Sequence, residues 1–165
     1  MTTDIMGVLR AEGELRAVHL DRVYDTDITG LWSALTDRDR LARWFARVDG
    51  KLALGAAFRI LFDEEQTTDG TVLACREPDH LRISWTSDGE SESYVRVDLS
   101  TVEEGTRLRL DHMRLPLSGA AGYAAGWHTY LDQLAADLRG DEAQGSTWDA
   151  RWQALLPAYQ AQLRS

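Results

Sequence analysis

Cysteine is almost missing from this chain: Cys75 is the single thiol in 165 residues, so no intrachain disulfide can form, and no Cys/His spacing resembles a metal site. A reducing compartment such as the cytoplasm fits that usage. Lysine is equally scarce. Lys51 stands alone among 18 basic residues, which reads as the codon bias of a GC-rich, bacterial genome rather than a selected basic patch. Basic residues are also outnumbered, 18 against 27 acidic, for a net charge of -9. That balance excludes a nucleic-acid backbone as partner and disfavours an anionic membrane surface. Long apolar runs are absent too. The run Ile5 to Leu9 ends at Arg10 and is too short for a signal segment or a membrane span, so a soluble, unprocessed protein is expected. No G-x-S-x-G elbow and no phosphate loop occur, since Gly119 to Gly122 lacks a following Gly-Lys-Ser/Thr. The acidic clusters at Asp63 to Glu65, Glu90 with Glu92, and Glu103-Glu104 fall at turns without calcium-loop spacing. No catalytic residue, metal or cofactor is therefore assigned.

What is present is a long amphipathic stretch, Ser118 to Leu138, arriving after a region that reads almost wholly as strand. Ala120, Ala124, Trp127, Leu131, Leu134 and Leu138 recur at steps of four and three, the stripe of a helix that needs a sheet to cover it. Its first half is Gly and Ala with two aromatics and its second half is Leu, so the first half is expected to leave space against that sheet.

Before this helix, residues 13 to 24 read as a strand with Val18, Leu20, Arg22 and Tyr24 on one face. Arg22 either snorkels to an edge or holds an anionic group. Two short helices follow. The first carries Ile28, Leu31, Trp32 and Leu35 with Thr26 or Asp27 as cap; the second starts at Thr36 with Asp39 three residues on and turns Leu41, Trp44 and Phe45 inward. From Ala46 to His112 six strands alternate apolar and polar residues: 48–52, 57–62, 71–76, 81–86, 94–99 and 106–112. Leu54-Gly55, Asp69-Gly70, Pro78-Asp79, Asp88-Gly89 and Glu104-Gly105 read as the tight connections of an antiparallel meander. After the long helix, residues 140–145 read as a linker. Ser146 then opens a helix with the stripe Trp148, Trp152, Leu155, Leu156, Tyr159 and Leu163, which Pro157 should kink or shorten. This tail, 141–165, either returns to the domain formed by 1–140 or contributes to a homodimer.

The order of elements resembles the helix-grip fold of the START-like (SRPBCC) superfamily, and within it the family named after the C-terminal domain of the activator of the heat-shock protein 90 ATPase. The resemblance is carried by Arg22-Val23-Tyr24, by Leu31 to Asp37, by Leu41-Ala42-Arg43-Trp44-Phe45, by Gly55 to Phe62, and by Gly126-Trp127 with Leu131 and Leu134. It implies an α+β domain in which a curved antiparallel sheet of six or seven strands wraps a long C-terminal helix. Two short helices follow the first strand. It also implies an apolar cavity between sheet and helix. Phe58, Phe62, Trp85, His112, Tyr123, Trp127 and Tyr130 are the expected ligand-binding wall. His112, inward with Leu108 and Leu110, is open to three roles: a hydrogen-bonded core group, a ligand partner, or an acid/base. His128 is expected at the helix flank, and His19 and His80 on a strand face and a turn. The resemblance implies a binding protein for a small hydrophobic molecule, with a cofactor-free cyclase or dehydratase and a chaperone-ATPase regulator as alternatives.

Overall fold

The computed structural model describes residues 6–141 and 148–164. The linker expected at 142–145 and the helix start at Ser146 lie outside them. Eight antiparallel strands form one sheet: β1 (Val8–Glu12), β2 (Leu15–Tyr24), β3 (Arg47–Gly50), β4 (Ala57–Leu61), β5 (Thr67–Arg76), β6 (His80–Ser87), β7 (Ser93–Val102) and β8 (Gly105–Pro116), in the spatial order β1-β2-β8-β7-β6-β5-β4-β3. Between β2 and β3 stand α1 (Ile28–Thr36) and α2 (Arg38–Trp44); α3 (Leu117–Leu138) and α4 (Trp148–Leu163) close the chain.

The strand count exceeds the expected six or seven by β1. That edge strand is exposed at four of its five positions, so neither face is selected for apolar residues and no alternation betrays it. The expected turn at Asp69-Gly70 is instead mid-strand. Gly70 faces Phe58 across β4 and β5, and a Cβ there would stand 2.4 Å from the Phe58 ring, so glycine is required by an aromatic lying over the backbone. The turn itself is at Asp63, whose Oδ1 accepts from the N–H groups of Glu65 and Gln66 at 2.7 Å each. Strand β8 continues past His112. A bulge opposite Ala17, with Arg114 at φ 67°, turns Leu115 into the core.

Asp27 caps α1 by accepting from Gly30 N–H at 2.7 Å. Asp37, rather than Thr36, caps α2, accepting from Asp39 and Arg40; Thr36 still belongs to α1 and bonds back to the Trp32 carbonyl at 2.8 Å. On the outer face an ion network crosses four adjacent strands. His19 donates to Asp111 at 2.7 Å, Arg96 joins Asp111 to Asp98, and His80 donates to Asp98 at 2.7 Å. Such partly exposed pairs add little stability, but they mark this face as the wet one.

The inner face holds α3, which lies closest to β1, β2 and β8. Ala120, Ala121, Ala124 and Ala125 are buried, and Leu131 and Leu134 fill the lower half of the interface. The small residues thus bring helix and sheet together instead of leaving a gap between them. Gly122 and Gly126 serve the other neighbour, α4, where Trp152 approaches the first and Trp148 the second. The tail therefore packs on its own chain. Pro157 does not break α4: Gln153 and Pro157 both lie on its exposed side, where water can reach the carbonyl that the missing N–H leaves unpaired.

His128 is not at the flank but fully buried under α4. Its Nδ1 accepts from the Tyr159 hydroxyl at 2.8 Å, and that hydroxyl accepts from Gly7 N–H at 2.7 Å. The expected outcome for Tyr159→Phe is a loss of about 1 to 3 kcal/mol of unfolding free energy, because buried polar groups lose their partner while the ring volume is kept. Urea denaturation checks it, and a change below about 0.5 kcal/mol, the range of an ordinary surface substitution, contradicts it.

Candidate functional site

A cleft of about 530 Å³ opens between α3, the start of α4 and the ends of β4, β5 and β6. Helical spacing builds one wall: Tyr123, Trp127 and Tyr130 stand at i, i+4 and i+7 on α3, and Trp148 and Trp152 at i and i+4 on α4. The sheet supplies Phe62, just past the end of β4, and Trp85 from β6. Phe45 completes the wall. It is the residue after α2, where the chain leaves helical geometry, and its ring stacks on Trp127 with centroids 5.6 Å apart and planes 8° from parallel.

A second, apolar space of about 70 Å³ lies deeper, lined by Phe58, Ile60, Leu81, Val97 and Leu131 among others. Phe45, Trp85 and Trp127 line both spaces and form the partition between them. Five of the seven expected wall residues, Phe62, Trp85, Tyr123, Trp127 and Tyr130, thus meet in the cleft. Phe58 belongs to the inner space. His112 opens on neither and is completely buried. Arg22 also stands apart: its Nη1 donates to the Asp21 carbonyl at 3.1 Å, and it lines neither space.

The position of His112 fixes its chemistry. Trp127 Nε1 can only donate, so the 3.0 Å contact makes His112 Nδ1 the acceptor and puts the ring proton on Nε2. Nε2 then donates to Ser93 Oγ at 2.8 Å, and Ser93 donates onward to the Trp85 carbonyl at 3.2 Å. Trp127 Nε1, both ring nitrogens of His112 and Ser93 Oγ are thus all paired. Burial pushes the imidazole down from its usual range to about 3, so the ring is neutral throughout the physiological range.

The cleft has its own polar groups. Tyr123 donates to Glu90 at 2.6 Å and accepts from Trp85 Nε1 at 3.1 Å. Burial, followed by the bond to Glu90, raises its pKa. Tyr130 is raised as well, by burial first and Asp149 second, and its hydroxyl has no hydrogen-bond partner among the described residues. Thr68 and Ser87 bond each other at 2.8 Å, and Glu65, Asp88 and Glu90 stand exposed at the mouth. No group of three or more His, Cys, Asp or Glu that could hold a metal is found among the described residues. No described helix is long and apolar enough to cross a membrane.

The sequence had no means of placing Phe45 at the cleft, because its inward face was visible but its helix-end geometry was not. Trp148 and Trp152 are readable as a stripe, and the space expected along the first half of α3 lies beside its glycine edge, where Gly119, Gly122 and Gly126 line the cleft under α4, rather than beneath its buried alanines.

A curved antiparallel sheet holding one long helix, with two short helices after the second strand, defines the helix-grip fold of the START-like (SRPBCC) superfamily. Within it, the chain belongs to the Activator of Hsp90 ATPase homolog 1-like family, whose profile matches residues 25–139. Similar solved structures include CalU16 from Micromonospora echinospora, with a TM-score of 0.81 at 30% identity over 96% of both chains. DynU16, a protein of the dynemicin biosynthetic locus, aligns with a TM-score of 0.72 at 28% identity over 76% of this chain and 48% of its own. MLL2253 from Mesorhizobium loti gives 0.72 at 25% identity, over 78% of this chain and all of its own. A comparison with curated proteins gives no match.

Two outcomes follow from the buried imidazole. Between about pH 6.5 and 3 the unfolded chain binds a proton at His112 that the folded chain does not, so stability rises with pH across that window and is lost on acidification. The slope from this group is at most about 1.4 kcal/mol per pH unit. Urea midpoints of the native protein and His112→Gln between those limits read it, and equal slopes would remove the assignment. Trp127→Ala should cost about 3 to 5 kcal/mol, since it empties a buried site and orphans His112 Nδ1; a loss below about 1.5 kcal/mol would mean the indole is replaceable by water.

Proposed function

We propose that this protein binds a small hydrophobic molecule in the cleft between α3, α4 and the sheet. The observation that carries the reading is the volume of about 530 Å³ walled mainly by aromatic side chains, which lies in the ordinary range of ligand pockets and is edged by a few polar groups. The family supports a ligand-binding or cyclase-like role in general, and the likeness to a protein of a biosynthetic locus is in keeping with a small-molecule partner.

Binding ranks above catalysis because, among the described residues, the carboxylates of the cleft stand exposed at its mouth and none is paired with a histidine or lysine. His112 is walled off and neutral, and Tyr123 with a raised pKa is a poor base. A cofactor-free cyclase or dehydratase remains the second reading, resting on the Tyr123–Glu90 hydrogen bond at 2.6 Å in the cleft wall. Regulation of a chaperone ATPase ranks third and would need an association seen in a pull-down.

Native mass spectrometry of the freshly purified protein, with titration calorimetry against a hydrophobic panel, tests binding. Gly119 lines the mouth, and a Cβ there meets nothing closer than 3.7 Å, so Gly119→Trp can fill the mouth without disturbing the core. Affinity is expected to fall at least tenfold with the melting temperature unchanged. Undiminished affinity would place the ligand elsewhere, and no binding by any panel member would end the proposal.

A further inference from the structure

We propose that the molecule the cleft is built for is a planar aromatic ring system that carries a basic amine or ring nitrogen protonated at neutral pH, its rings against the aromatic wall and its protonated nitrogen at the carboxylate rim. This rests on the ligand-binding reading above and names the chemistry of the ligand. The cleft and the space behind it differ in kind. The deeper one is lined chiefly by Leu, Ile and Val, the surroundings an acyl chain would find. Among the described residues the cleft is lined by no Leu, Ile, Val or Met; its apolar surface there comes from eight aromatic rings. Such rings present negative faces and positive edges, and they reward flat π systems and cations more than flexible chains.

The polar groups point the same way. Glu65, Asp88 and Glu90 rim the cleft, and among the described residues no lysine, arginine or histidine lines it. The chain has 18 Lys and Arg to place, so their absence here is local and not a shortage. A ligand carboxylate or phosphate would be buried against three carboxylates with no cation to answer it, which is costly. An ammonium meets acceptors at the rim and ring faces within. Glu90 spends Oε1 on Tyr123 at 2.6 Å, which steadies the carboxylate and leaves its second oxygen to accept. Tyr130, without a partner among the described residues, offers a hydroxyl oxygen inside the cleft. The neutral state of His112 behind the wall adds no opposing charge, and the net charge of -9 draws cations from a distance.

The test uses the full chain and three flat tricyclic probes of similar size: proflavine as the cation, acridone as the neutral compound and anthracene carboxylate as the anion. Dodecanol is added as an aliphatic control. Calorimetry at about 20 mM and about 200 mM salt spans weak and strong screening. Proflavine should bind at least tenfold tighter than acridone, with anthracene carboxylate weakest, and the advantage should shrink in high salt. It should also disappear in the triple variant Glu65→Gln, Asp88→Asn, Glu90→Gln, the ratio of proflavine to acridone affinity falling to about one, and persist in the distant control Glu103→Gln, Glu104→Gln. The triple variant alters only exposed side chains, and its melting temperature verifies folding. Acridone or the anion matching proflavine, or an advantage that survives the triple variant, overturns the amine assignment while leaving the cleft as a binding site. Dodecanol binding without any tricycle overturns the aromatic assignment as well. No binding by any of the four overturns the ligand-binding reading together with this one.

Discussion

The cleft depends on one buried hydrogen-bonded chain, from the Trp127 indole through His112 and Ser93 to the Trp85 carbonyl. It ties α3 to three neighbouring strands, β8, β7 and β6, and sets the orientation of two of the rings that wall the cleft. An indole N–H can only donate, so a buried Trp127 needs an acceptor. A neutral imidazole supplies one on one side and a donor on the other. It also keeps ring contacts with Trp85 at 5.2 Å and Tyr123 at 4.7 Å that an amide side chain could not make. Loss of solvation disfavours the charged form, and the same burial that keeps the ring neutral keeps it out of the cleft.

The helix α3 has to satisfy two neighbours, and its small residues divide between them. Alanines at 120, 121, 124 and 125 let the sheet approach, while glycines at 122 and 126 face the indoles of α4, with Trp152 Nε1 donating to the Gly122 carbonyl at 2.9 Å. A helix-interior glycine costs about 1 kcal/mol relative to alanine. No steric contact requires it at either position, since a Cβ would stand 3.6 to 4.0 Å from the indoles. The tail is part of the cleft wall, and α4 is held at its other end by Tyr159 and by Gln162, which bonds Leu9 N–H and the Gly7 carbonyl at 2.9 Å each.

Most of the architecture was legible because the meander alternates cleanly and the two long amphipathic stripes are strong. What escaped did so for physical reasons. Strand β1 is exposed along nearly its whole length and carries no pattern. Gly70 looked like a turn because a glycine required by an overlying ring cannot be told in sequence from one required by a positive φ. His112 was correctly inward, but period two gives a face and not a depth, so its separation from the cleft by Trp127 and Tyr123 could not be read. The glycine edge of α3 could be read as small, but not that the space beside it is walled on one side by indoles, since these arrive from a helix that begins 22 residues after Gly126.

The partition between the two spaces is uneven in strength. Trp127 is held through its indole by His112, and Trp85 through its own by Tyr123. Phe45 has no polar tie. It is kept in place by ring contacts with Trp44, Phe62, Trp127 and Tyr130, at centroid distances of 4.8 to 5.6 Å, and by the helix end that carries it. Aromatic pairs of this kind contribute about 0.5 to 1.5 kcal/mol each beyond the area they bury. A ligand ring taking the place of Phe45 against Trp127 would restore much of that stacking, whereas displacing Trp127 itself would strand a buried acceptor that no apolar ligand can satisfy. Of the three rings between the aromatic cleft and the aliphatic space behind it, Phe45 is therefore the one whose displacement a ligand can offset.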